Sequence, residues 1–163
     1  MARKASAERF RVAMQARGFV IDIIELPDSA RTAPEAAQAV GCAVAQIVKS
    51  IIFRGIDSDC PILVVASGAN RVNEGVLSEL VGETVAKADA EFTRRHTGFA
   101  IGGVPPSGHP QPLRTIVDRD LLQHEQIWAA AGTPHVLFKL TPAELQRSEE
   151  HTSELQSPCN LVC

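Results

Sequence analysis

The sequence predicts an α+β fold, a single compact domain whose curved, mixed β-sheet is flanked by short helices. Three observations predict it. The 163-residue chain is 45% hydrophobic and 21% charged, the range in which one domain buries one sizeable core. Stretches of strand character and stretches with helical caps are interspersed along it. They lack the regular strand–helix rhythm of a doubly wound sheet.

Taken in order, Ala7 to Arg17 sets Phe10, Ala13, Met14 and Arg17 at helical spacing, between Ser6 as a cap and Gly18 as a stop. Phe19 to Leu26 is rich in β-branched residues and closes on Pro27, Asp28 and Ser29, as a strand does. Thr32-Ala-Pro-Glu35 is a capping box with proline in the first turn, so a short helix over Ala33 to Val40, ended by Gly41, is expected. Strands are expected over Ile47 to Arg54 and Ile62 to Ser67, antiparallel across the turn Gly55 to Pro61. Asn73 caps a helix over Glu74 to Leu80 that Gly82 ends. A short strand near Thr84 to Lys87 leads to Asp89, the cap of a helix ending at His96 to Gly98. A glycine- and proline-rich loop comes next, then a strand near Thr115 to Val117, a helix around Trp128 and a last strand, His135 to Leu140.

Thr141-Pro-Ala-Glu144 is a second capping box, announcing a helix with an apolar stripe. The residues after it are mostly polar and soon reach Pro158. Arg147 to Ser157 resembles the in-frame translation of a sequencing-library adapter. The expected organisation is therefore a domain over residues 1–146 and a foreign, adapter-derived tail over 147–163, with a natural final helix lost.

Composition excludes several classes of function. The longest apolar runs, Ile51–Phe53 and Pro61–Ala66, fall far below the roughly 18 residues of a membrane span, and MARKASAERF has no apolar signal core. A cytoplasmic protein without a membrane partner is expected. Cys42, Cys60, Cys159 and Cys163 include no CxxC pair, so neither a metal site nor a disulfide framework is expected; no cofactor is expected either. Sixteen Lys and Arg face 19 Asp and Glu, and three of those acids, Glu149, Glu150 and Glu154, lie beyond Arg147. A domain so balanced lacks the basic field of a general DNA or RNA binder. Any RNA contact is then local, through Arg9, Arg11 and Arg17 or through Arg94 and Arg95, which read equally well as solvated helix faces.

Two features carry chemistry. In Ile47-Val-Lys-Ser-Ile-Ile-Phe53 both alternating faces are apolar, the pattern of a central strand, and Lys49 shares a face with Ile47, Ile51 and Phe53. An ammonium there needs compensation. A carboxylate could pair with it, the stem could snorkel to an edge, or the head could line a pocket for an anionic or carbonyl-bearing ligand. In Gly98-Phe-Ala-Ile-Gly-Gly-Val-Pro-Pro-Ser-Gly-His109, Gly102 and Gly103 permit close backbone approach or positive φ, and Pro105 and Pro106 stiffen the exit. Such a loop can offer N–H groups to a developing oxyanion, or be a plain turn. No GxSxG elbow, HExxH, Walker loop or GxGxxG is present, and His96, His109, His124 and His135 are scattered.

Together, AQIVKSIIFRG, PILVVASGANRVN, ADAEFTRRHTGFAIGGVPPSGH and WAAAGTPHVLFKLTPAEL resemble the YbaK and prolyl-tRNA-synthetase-associated editing-domain family, over roughly Ser6 to Gln146. The resemblance implies a deacylase acting in trans on mischarged tRNA, with Cys-tRNA(Pro) or Ala-tRNA(Pro)-type substrates. Its partners would be the aminoacyl-tRNA acceptor end and prolyl-tRNA synthetase. It implies that Lys49 is the functional lysine and that Gly102 to Pro106 is the loop whose glycine backbone approaches the substrate carbonyl, with Gly103 inside it. Substrate contacts are implied for Ser50, Ser67, Pro106, His109, Gly132, Thr133 and His135. The reaction in this family is substrate-assisted, the nucleophile being the amino acid's own thiol or a water held by the terminal ribose hydroxyl. A noncatalytic module that binds charged tRNA or a synthetase is the alternative.

Overall fold

Ser6 is not where the first helix begins: in the computed structural model, which describes residues 2–28 and 30–149, helix α1 spans Ala2–Ala16. Phe10 and Met14 bury its inner face, and Gly18, at φ +86°, turns the chain away. The expected strand over Phe19 to Leu26 shrinks to β1, Ile23–Glu25, because only these residues find a partner strand; Val20 is 90% exposed. The expected closure at Ser29 lies outside the described residues, as do 150–163, which hold most of the expected tail.

Helix α2, Ala33–Val40, begins at the Thr32–Glu35 capping box and ends at Gly41 in the left-handed region, as the sequence predicts. Strand β2, Val48–Gly55, is antiparallel to β3, Pro61–Ser67, with Lys49 opposite Ala66. Helix α3, Glu74–Val81, is capped by Asn73 and Gly82; β4, Val85–Lys87, pairs antiparallel with the last three residues of β2. Helix α4, Ala90–Thr97, is capped by Asp89 and Gly98. Strand β5, Arg114–Val117, runs parallel to β3, so the order β4-β2-β3-β5 forms a mixed sheet.

Trp128 corrects the sequence reading. It sits in β6, Ile127–Thr133, not in a helix. The alanine run Ala129–Ala131 favours helix locally, but tertiary burial overrides propensity here. Ala129 and Ala131 are fully buried, and a strand of small residues lets α1 approach closely. Strand β6 pairs with β7, Val136–Leu140, which pairs with β1, giving an antiparallel sheet of order β1-β7-β6. Among the described residues, one isolated parallel bridge, Ile47 to Trp128, joins the two sheets.

Between the sheets lies the main core. Val48 and Ile52 of β2 and Leu63 and Val65 of β3 meet Phe10 and Met14 of α1, Ile127 and Ala129 of β6, and Phe138 of β7. The opposite face of β2 and β3 packs Phe53, Ile62, Val64 and Ala66 under Leu77 of α3 and against Ile116. This is the two-faced alternation read from the sequence. Helix α5, Pro142–Glu149, opens at the Thr141–Glu144 box, buries Leu145 and Ser148, and runs three residues past the expected domain limit at 146. Among the described residues no helix is long and apolar enough to cross a membrane.

Candidate active site

Strand β4 covers only Phe53 to Gly55, so the first half of β2 keeps an open edge. Along that edge lies a cleft of about 350 Å³, within the usual range for small-molecule sites. Its floor is Ile47 and Val48 to Ile52 of β2. Ala30 to Ala33 and Ala36 at the start of α2 form one wall, and Lys87, Ala88 and Thr93 form another. Ile101, Gly102 and Val104 of the glycine loop, with Ala130, Pro134 and Leu137 of the β6–β7 hairpin, close it.

Lys49 lines this cleft, half-buried, and its Nζ donates to the backbone carbonyl of Asn70. No carboxylate among the described residues forms an ion pair with it. Burial lowers its pKa from the usual lysine value; Lys87 and Arg71 lower it further, and Asp118 opposes them. The strand left three readings open; in the structure Lys49 lines the cleft and its ammonium is held by a backbone carbonyl, with no carboxylate of the described residues paired to it. Ser50 stands beside Lys49, and its buried Oγ has no hydrogen-bond partner among the described residues. A buried hydroxyl left unpaired is costly, and a ligand or water in the cleft would satisfy it.

A second layer fixes the carbonyl that Lys49 uses. Asp118, 1% exposed, accepts from the backbone N–H of Ser67 at 3.0 Å and from Asn70 Nδ2 at 2.9 Å through Oδ2, and from Asp120 N–H at 3.0 Å through Oδ1. Asn70 Nδ2 also donates to Asp120 at 2.7 Å. Asn70 is thus clamped through its amide while its carbonyl faces Lys49. Ser67 belongs to this layer rather than to the cleft: its Oγ donates to Ala45 O at 2.8 Å.

The two loop glycines separate in role. Gly102, at φ +86°, lines the cleft; an added Cβ would lie 3.3 Å from Pro134 Cγ. Its N–H makes no hydrogen bond among the described residues, so it can face a ligand. Gly103 does not line the cleft. Its N–H donates to Ala100 O at 3.0 Å, and a Cβ there would meet Thr133 Cα at 2.8 Å. Its smallness seats the loop on the hairpin.

Of the other expected contacts, Pro106, His109, Gly132, Thr133 and His135 lie off the cleft lining. His109, 4% exposed, donates from Nε2 to Pro105 O at 2.9 Å, which fixes the tautomer and leaves Nδ1 an acceptor with no partner among the described residues. Burial pushes its pKa down to about 4. Arg17 donates to its carbonyl at 2.9 Å, tying the loop's exit to α1. Buried Pro106 belongs to the same seating. Gly132, at φ +100°, lets Ser6 O of α1 approach; Thr133 is buried and accepts the His135 N–H at 3.2 Å. His135 faces a different hollow, bounded by α1 and β1, while its neighbour Pro134 faces the cleft.

Arg31, Lys87 and Ile101, which line the cleft, and Asn70 and Asp118, which hold Lys49, are not among the residues expected from the sequence. Asn70 sits inside the motif PILVVASGANRVN, so its neighbourhood was legible. Nothing local marks Lys87 or Arg31, since exposed cations are common. Among the described lining residues there is no Asp, Glu, His or Cys, and the three ionisable groups are all cations.

The family model described as aminoacyl-tRNA editing domain matches residues 27–148. Uncharacterized protein YwhH of Bacillus subtilis (strain 168) is 30% identical over 124 residues, which cover 76% of this chain and 78% of that protein. A proline–tRNA ligase of Limosilactobacillus fermentum is 29% identical over 96 residues, 56% of this chain and 17% of the ligase. A crystal structure of a protein proposed as a trans-editing enzyme for prolyl tRNA synthetase superposes with TM-score 0.84 at 47% identity, covering 93% of this chain and 97% of that one. Hypothetical protein APE2540 superposes with TM-score 0.79 at 29% identity over 88% of this chain and 95% of its own. With the cleft, its lysine and its glycine turn in the matched region, this chain belongs to the aminoacyl-tRNA editing domain family.

Proposed function

We propose that the protein is a trans-acting aminoacyl-tRNA deacylase that hydrolyses Cys-tRNA(Pro) or Ala-tRNA(Pro)-type esters in the cytoplasm. The observation that carries the reading is Lys49, which has no carboxylate partner among the described residues and lines an apolar cleft together with the Gly102 turn. An ester is already activated, so positioning and electrostatics suffice to accelerate its hydrolysis. Water adds to the ester carbonyl, the C–O bond to the ribose breaks, and amino acid and tRNA leave. Lys49 supplies positive charge to the terminal phosphate or the carbonyl, and Gly102 N–H meets the developing oxyanion. The described lining holds no Asp, Glu, His or Cys to act as a general base, which favours substrate assistance: a water held by the ribose hydroxyl or, in a cysteinyl ester, the amino acid's own thiol attacks the carbonyl and expels the same ribose oxygen. Asn70 and Asp118 act on Lys49 as positioning residues.

The test is a deacylation panel of cysteinyl-, alanyl- and seryl-charged tRNA. Turnover of at least one is expected, with a loss of about a hundredfold or more in Lys49→Ala. Full turnover by that variant would refute the role of Lys49; saturable binding without turnover would leave a binding module. Prolyl-tRNA synthetase is the proposed partner, to be checked by co-purification.

A further inference from the structure

The domain's charge is nearly balanced, yet the cleft's is not. Arg31, Lys49 and Lys87 are the ionisable groups of its described lining, and no acid stands among them. Lys87 pairs in register with Phe53 on β2, and Phe53 lies on the same face of β2 as Lys49. Lys87 is therefore presented, exposed, on the Lys49 side of the open strand edge. Arg71 follows Asn70, the residue whose carbonyl holds Lys49, so a further cation borders the same spot. The nearby acids are committed: Asp118 and Asp120 accept from Asn70, and Glu35, beside Arg31, accepts the backbone N–H groups of Arg31 and Thr32. Like charges gathered on a lining that carries no acid raise the free energy of the empty cleft and favour an anion.

A second feature of the mouth is apolar. Ile101 is 55% exposed and stands on the turn that Gly102 makes at positive φ, over the edge of the cleft. Of the large hydrophobic side chains that stay exposed, Val12, Val20, Ile24, Ile56 and Leu80 lie elsewhere, and Ile101 lines the cleft. An apolar rest beside a cationic seat matches a ligand with a flat, weakly polar face joined to a phosphate.

We propose that Lys87, with Lys49, seats the 5′-phosphate of a 3′-terminal nucleoside and that Ile101 supports its base, so that a free nucleoside 5′-monophosphate binds here without the rest of an RNA. The proposal rests on the deacylase reading for its choice of ligand, and it adds Lys87 and Ile101 as substrate-positioning residues. Both side chains are exposed, so their replacement leaves the core intact.

Titrating the full-length protein with AMP and with adenosine tests this. AMP is expected to bind about tenfold more tightly than adenosine, the scale of one charge-assisted contact. Lys87→Gln should remove most of that preference while leaving adenosine binding unchanged. Ile101→Ser should weaken both ligands alike, by about threefold to tenfold. Equal binding of AMP and adenosine by the unaltered protein overturns the proposal, as does a preference untouched by Lys87→Gln. Turnover of charged tRNA by the same preparation is scored separately. Turnover with no AMP preference sinks the seat and spares the deacylase; an AMP preference with no turnover on any charged tRNA does the reverse.

Discussion

Lys49 and Gly102 meet in the cleft from stretches of chain that the sequence presents separately. The alternation in β2 marks Lys49 as misplaced for a core, but which compensation it finds depends on Asn70, twenty-one residues away in the chain. That is why the residue was legible and its environment was not. If the ammonium is the working form, deacylation above the uncatalysed background should hold at neutral pH. It should then fall as pH rises through the lysine's pKa, which burial, Lys87 and Arg71 have lowered; the fall thus begins below the ordinary lysine range of about 10.4. A kcat/KM profile that keeps rising through that range counts against it. Gly102 and Gly103 read alike in sequence and differ in space. Gly102→Ala sets a side chain at φ +86° close to Pro134, so a stability cost of about 1–2 kcal/mol and a larger drop in kcat than in substrate affinity are expected, from denaturation and steady-state kinetics.

At the scale of elements, caps and alternation located most helices and strands because both are local signals. β6 escaped because alanine carries helix propensity without any mark of burial, and only the close approach of α1 makes a strand of small residues preferable. The cleft escaped for a similar reason: its walls come from α2, β4, the glycine loop and the β6–β7 hairpin, whose meeting no window of sequence reports. The segment from Ser67 to Asn70 is held by Asp118 across to the end of β5. Asp118→Ala would strand the buried Ser67 N–H and leave the Asn70 amide with Asp120 alone. A loss of about 3 kcal/mol in urea unfolding is expected, with reduced deacylation as Lys49 loses its fixed carbonyl. Unchanged activity in a variant so destabilised would show that the clamp does not position the lysine.

For the molecule as a whole, acid sensitivity should have a histidine component. In the unfolded chain His109 takes up its proton near 6.5, whereas in the fold it does so only near about 4. Between those values the unfolded state binds more protons, so stability is complete above pH 6.5 and declines as pH falls toward 4. The difference amounts to about 3 kcal/mol. Urea midpoints from pH 7 down to 4 should show the decline, and His109→Gln, which still donates to Pro105 O but cannot charge, should flatten it.

The match to the editing family begins at residue 27, yet the fold does not start there. Ser6 O of α1 rests where Gly132 has no side chain, and Phe10 and Met14 fill the space between the sheets. The first helix is therefore the buttress of the hairpin whose Pro134 closes the cleft. A protein trimmed to the recognisable family segment would keep every group proposed for chemistry and lose the backing that holds one side of their enclosure in register.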